Sequence, residues 1–142
     1  MDACAILWSG TGQSTHVTVN LSELFFSKER SLMKSLDALS ALQEDWDGYG
    51  APSVSKIAIA RSKTTLKAFD SSLYASMTVD ANEWGGIQLQ YKFIGGLVCC
   101  DFGDDSMSYY IKWNSGKVEL HSFEEYTDSN IKSLGELLYN LA

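Results

Sequence analysis

The sequence predicts a two-layer α+β domain: a four-stranded antiparallel β-meander packed against two or three helices, with an N-terminal hairpin as an extension. Three observations predict it. Apolar residues recur at helical spacing in the first half of the chain. After residue 85, short stretches alternate in polarity or run apolar, as strands do. Glycine-bearing turns join those stretches, so strands that follow one another lie antiparallel.

Residues 3–8, ACAILW, and 16–21, HVTVNL, read as two short strands of a hairpin joined by the flexible SGTGQST. Ser22 then fits the N-cap of a long helix. Its apolar stripe is Leu24, Phe25, Leu32, Leu36, Leu39 and Leu42, and the helix is expected to run to about Glu44. Ser53 or Ser55 caps a second helix ending near Asp70, with Val54, Ile57, Ala58, Ala60, Leu66 and Phe69 inward. A last helix, Asp128 to Leu141, carries Ile131, Leu134, Leu137, Leu138 and Leu141 on one side.

Strands are expected at about 86–93, 97–102, 107–113 and 117–123. GGIQLQYKF, 85–93, sets Ile87, Leu89, Tyr91 and Phe93 against Gln88, Gln90 and Lys92, the pattern of a half-buried strand. NSGK, 114–117, is a hairpin turn whose glycine suits a positive φ. Ile87, Leu89, Tyr91, Ile111 and Trp113 are placed beneath the helices. Val98, Cys100, Phe102 and Tyr110 are placed on the opposite face, as an apolar strip that a symmetric dimer would cover. Only one of the adjacent Cys99 and Cys100 is expected in the core, because neighbouring strand residues face opposite ways.

The chain's 142 residues suit a single domain, 1–142, large enough to bury a core without disulfide or metal staples. Lys and Arg number 11 against 18 Asp and Glu, a formal charge of −7. Such a surface repels phosphate backbones, so no nucleic-acid partner is expected. The three cysteines, Cys4, Cys99 and Cys100, are an odd set with two adjacent. That argues against a disulfide framework and for a reducing compartment. No signal-peptide pattern opens the sequence, and no apolar run approaches the ~18 residues of a membrane span. A cytoplasmic protein with no membrane partner is the expectation.

The most unusual stretch is DWDGYGAPS, residues 45–53, which holds the only proline. Counted from Asp45 as a calcium loop, it has Tyr49 at the fifth position and Lys56 at the twelfth, where oxygen ligands belong. Asp45 and Asp47 on one loop do not make the cross-cleft carboxylate pair of a glycosidase. A structural corner fits better. Asp47 can accept backbone N–H groups as an Asx turn. Gly48 and Gly50 allow left-handed φ, Trp46 is expected to bury its ring between two helices, and Pro52 fixes φ before the second. Tyr49 has no part in such a corner. Asp47, Tyr49 and Trp46 are the candidate ligand or partner residues.

WDGYGA, Trp46 to Ala51, followed by Pro52 and later by Gly85, Gly86 and Ile87, resembles a signature of small bacterial and phage proteins with W-D-G-x-G-A. The resemblance covers roughly residues 36–123, and relatives often carry the proline one residue later. It implies the cargo of mobile DNA, such as prophages, gene cassettes and toxin–antitoxin-like neighbourhoods. It brings no catalytic residues.

Other chemistry is sparse. SGTGQST lacks the lysine of a phosphate loop. His16 and His121 come with no G-x-S-x-G elbow, and Cys99–Cys100 lacks zinc-ligand spacing. Asp101, Asp104 and Asp105 read as solvated turn residues. No cofactor, metal or catalytic residue is expected. The function expected is therefore a non-enzymatic protein-interaction or accessory protein of a mobile element, antitoxin-like in kind, with a basic protein as partner. The alternative is a small-ligand binder or small enzyme with a pocket beside the 45–52 loop.

Overall fold

A computed structural model describes the backbone of residues 4–7 and 17–142, and the side chains of 24–121 and 125–142. The expected connector 9–15 and His16 lie outside the described residues. Strands β1 (Cys4–Leu7) and β2 (Val17–Asn20) pair antiparallel as the expected hairpin. Helix α1 (Leu21–Leu39) begins before Ser22, so that serine stands in its first turn rather than at its cap. The helix also ends earlier than expected, in backbone turns from Ser40 to Leu42. Helix α2 (Lys56–Ala68) starts at the cap Ser55, whose hydroxyl accepts from the Ala58 N–H.

After a 3-10 turn, Ser71–Ser76, five strands follow: β3 (Met77–Ala81), β4 (Ile87–Phe93), β5 (Gly96–Phe102), β6 (Ser106–Trp113) and β7 (Val118–Glu125). Helix α3 (Asp128–Leu141) closes the chain with the bounds its apolar spacing predicts, capped by Thr127. The sheet order is β3-β4-β5-β6-β7, all antiparallel. The fold is thus the α+β meander the sequence predicts, with one strand more. β3 alternates over MTVDA but is only five residues long, and it enters from a 3-10 turn rather than a hairpin, so it does not stand out in the sequence.

The helices cover one face of the sheet. There Leu32, Leu36, Ala58, Ile59 and Leu66 from the helices meet Met77, Ile87, Leu89, Val98, Phe102, Met107 and Ile111 from the strands. Burial of such side chains is worth about 1.5–3 kcal/mol each, which makes this layer the source of stability. Ile87, Leu89, Tyr91 and Ile111 are buried here as expected, and Trp113 is partly buried at the margin, edge-on to Phe93.

The strand register corrects the expected outer strip. Phe93 pairs with Gly96 across the two-residue loop Ile94–Gly95, so Tyr91 pairs with Val98, Leu89 with Cys100 and Ile87 with Phe102. Cross-strand partners share a face. Val98, Cys100 and Phe102 therefore lie in the core, and the strip that called for a symmetric dimer is not there. Tyr110 does lie on the outer face, half-buried.

Cys99 corrects a second expectation. It faces outward, away from Cys100, yet both are buried, Cys99 at 1% exposure. Its cross-strand neighbours Gln90 and Tyr110 are long and flank a short side chain. Burial pushes the Cys99 thiol above its ordinary pKa, and the hydrogen bond with Cys99 is the first of the causes that raise Tyr110 to about 12. Helix α2 is also rotated from its expected phase: Ile57 is exposed, while Ile59, Ser62 and Thr65 are buried. The two hydroxyls escape the desolvation cost of burial by donating to the carbonyls of Ala58 and Arg61, 2.8 Å away in each case.

The outer face of the sheet is polar at one end. Asp80, Gln88, Asp101 and Ser108 follow one another across β3, β4, β5 and β6. Among the described residues no strand pairs with the outer side of β7, where Leu120 stands 80% exposed. Also among the described residues, no helix is long and apolar enough to cross a membrane, and no group of His, Cys, Asp and Glu is placed to hold a metal ion.

Candidate functional site

Residues 45–51 fold into a corner that satisfies itself. Asp47 Oδ1 accepts the N–H of Tyr49 at 2.8 Å and of Ala51 at 3.1 Å. Asp45, at φ 62°, accepts the Gly50 N–H through Oδ1 and donates its own N–H to the Ala51 carbonyl, both at 2.7 Å. Gly48 and Gly50 hold φ of 76° and 82°, the left-handed region that glycine enters without cost. Asp47 is thus the Asx residue its sequence context predicts. Trp46 is an anchor of a different kind from the one expected. Its ring is only partly buried, and its Nε1–H donates to the Pro52 carbonyl at 3.0 Å. Tyr49 is 94% exposed.

A second turn, Asn82–Gly86, is built the same way. Asn82 Oδ1 accepts the N–H of Trp84 at 3.0 Å and of Gly86 at 2.8 Å. Each turn thus places an Asx side chain at its first position, an aromatic two residues on, and a second bonded N–H four residues on. The glycines after the aromatics, Gly50 and Gly85, have φ of 82° and 83°. Trp84, like Tyr49, is thrust into solvent, at 81% exposure.

The segment that follows the first turn, Pro52–Ser55, touches the second. The Ser55 N–H donates to the Gly85 carbonyl at 2.8 Å, and a Cβ on Gly85 would lie 3.0 Å from Pro52. The Ser55 hydroxyl also bonds Asp104 in the β5–β6 turn. One serine thereby ties helix α2, the Trp84 turn and the β5–β6 turn together.

The second turn also walls a cleft of about 640 Å³ at this end of the outer face. Trp84, Gln88, Asp101, Ser106 and Ser108 line it, with Glu83 at the rim. Asn82 uses its second function here: its Nδ2 donates to Asp101 Oδ1 at 3.2 Å. Burial pushes the Asp101 carboxyl above its ordinary pKa, and the Asn82 bond only partly offsets that. Asp101 is therefore a half-buried strand residue, not the solvated turn residue the sequence suggests; Asp104 and Asp105 are exposed as expected. A wider groove of about 840 Å³ lies between α2 and α3, lined by Phe69, Ile131, Gly135 and Tyr139 among others. It too carries polar groups, Thr64, Asp70, Asp128, Glu136 and Asn140, but with Lys132 among its carboxylates.

The structure separates the sequence candidates from one another. Asp47 and Trp46 hold the corner, and Tyr49 alone is presented to solvent. Asn82, Trp84 and Asp101 were missed. The signal that would have found the first two is the shared spacing of DGYGA and NEWGG. Set against protein families, curated proteins and solved structures, the chain matches none, so its site is described by its own geometry alone.

Proposed function

We propose that this chain is a non-enzymatic interaction protein that docks a basic protein through its paired aromatic turns. The observation that carries the proposal is the pair Tyr49 and Trp84. Both are large aromatics held out of the core, on turns linked through Pro52–Ser55 and fixed by their own Asx residues. Rigid exposed aromatics are the residue type that anchors interfaces, because little side-chain entropy is lost when they are covered. Asp45 and Glu83 belong to these turns and Asp104 bonds Ser55 beside the second, on a chain of net charge −7. That favours a cationic partner over a second copy of the same acidic surface.

The role of an accessory, antitoxin-like factor of a bacterial mobile element belongs to the same proposal, as does kinship through Trp46–Ala51. The acidic charge supports the first and the corner geometry is compatible with the second. The test is co-purification from the native cell with tagged wild-type chain and with a Tyr49→Ala, Trp84→Ala double variant. Retention of a basic protein by the wild type and its loss from the folded double variant supports docking at the turns. Equal retention by both overturns it.

A second reading is favoured by the cleft beside Trp84, whose converging polar groups suit a small ligand or side chain.

A further inference from the structure

We infer that the cleft between Trp84 and Asp101 is a guanidinium pocket, and that it takes an arginine side chain of the basic partner. The inference rests on the docking role proposed above and names the chemistry that this surface recognises.

The lining is one-sided. It offers carboxylates from Asp101 and Glu83, the carboxamide of Gln88 and the hydroxyls of Ser106 and Ser108, and it contains no lysine, arginine or histidine. Every formal charge an anion would meet there is a like charge. A guanidinium is the converse: five N–H donors, no acceptor and a fixed positive charge. Asp101 gives the pocket its direction. It sits near the end of β5 between Gln88 and Ser108, and among the described residues no cation pairs with it. Asn82 occupies Oδ1 with a single N–H, which holds the carboxylate in place without neutralising it. A half-buried carboxylate without a countercharge is an unfavourable arrangement that an incoming cation relieves.

Trp84 supplies the other half. Its indole lines the cleft and stands almost wholly in solvent, so a face is available for a planar cation to stack on. Arginine matches this pair better than lysine. Its flat group can lie on an indole while its edge forks onto a carboxylate, whereas an ammonium is compact and strongly hydrated. The floor is rigid: a Cβ on Gly86 would fall 2.4 Å from the Phe102 carbonyl, so the turn and strand β5 are already in close contact.

The experiment is a titration of the full-length, isotope-labelled chain with arginine amide, followed by amide and indole NMR shifts. Parallel titrations use lysine amide, glucose and a capped Gly-Arg-Gly peptide. A saturable shift confined to the Trp84 indole N–H and the amides of Gly86, Gly103 and Ser108 is expected, with arginine amide binding more tightly than lysine amide. Binding of the peptide at least as tight as that of arginine amide assigns the pocket to a protein side chain. Binding of arginine amide with exclusion of the peptide overturns that assignment. Asp101→Asn, which keeps shape and an acceptor, should weaken arginine binding by roughly tenfold or more. Absence of a saturable shift, or glucose binding as well as arginine, overturns the pocket. The two proposals fail separately. A partner lost from the double variant without any arginine response removes the pocket and leaves the docking surface. An arginine response without such a partner leaves the pocket and removes the docking surface.

Discussion

The turns at 45–51 and 82–86 have one plan and two outcomes. In both, an Asx oxygen gathers two backbone N–H groups, an aromatic projects, and a glycine at φ near 82° turns the chain. They differ in what surrounds them. The first turn is open: a Cβ on Gly48 or Gly50 would meet nothing within 4 Å. The second is wedged: Gly85 presses on Pro52 and Ser53, Gly86 on Phe102, and Asn82 reaches Asp101. The same local chemistry makes a free-standing corner in one place and the wall of a cleft in the other. Local pattern sets the shape of a turn, and tertiary contact decides what the turn can do.

Removing each turn's acceptor separates the two most sharply. Asn82→Ala strands the Trp84 and Gly86 N–H groups and takes away the Nδ2 donor that bonds Asp101. A loss of about 3 kcal/mol is expected. Asp47→Ala likewise strands one exposed and one part-buried N–H but breaks no bond to a strand residue, and should cost about 1–2 kcal/mol. Urea unfolding of the two variants checks the order, and equal losses would erase the distinction between wedged and open turns.

The glycines give the next contrast. Gly50→Ala meets only the left-handed φ and should cost about 1 kcal/mol. Gly85→Ala has the same φ but drives a methyl against Pro52 Cγ at 3.0 Å and the Ser53 carbonyl at 3.1 Å, so about 2–3 kcal/mol is expected. Thermal melts of the pair measure the difference contributed by packing alone. Tyr49→Ala and Trp84→Ala should each stay within about 0.5 kcal/mol of wild type, despite removing a whole ring, because both rings stand in solvent. A large drop in melting temperature for either would show that its ring packs in solution.

The smallest effect has a sign that depends on pH. Burial raises the Asp101 carboxyl in the folded chain, so its protonated form favours folding. That contribution is present below the ordinary carboxylate pKa and is lost as pH rises through the raised folded value. At neutral pH the ionised group therefore opposes folding, and Asp101→Asn should be slightly more stable than wild type. The gain should shrink as pH falls towards and below the carboxylate range, which melts at a series of pH values will show.

Much of this was legible in the sequence. Ile87 to Phe93 could be read as a strand because their alternation is strict, and the Asx role of Asp47 followed from the residues around it. The face of β5 was not legible, because GLVCCDF is apolar on both parities and only pairing decides between them. The deciding residues were Ile94 and Gly95. A two-residue hairpin loop pairs Phe93 with Gly96, and that places Val98, Cys100 and Phe102 inside. The phase of α2 misled for a related reason. Ser62 and Thr65 look like surface residues until their hydroxyls are seen to bond the helix's own carbonyls. Asp101 was taken for a turn residue because it precedes Gly103, Asp104 and Asp105, and nothing local shows that Asn82, 19 positions earlier, will bond it.

The outer side of β7 sets the chain's behaviour at high concentration. An edge strand without a neighbour is a template on which another chain can add, and Val118 and Leu120 make this one adhesive. Glu119 and Glu125 lie along it, and the net charge of −7 keeps molecules apart at neutral pH. Near the isoelectric point of about 4.7 that repulsion vanishes while the edge remains. Precipitation on acidification should therefore proceed edge to edge, and a lysine in place of Leu120 should delay it without altering the fold.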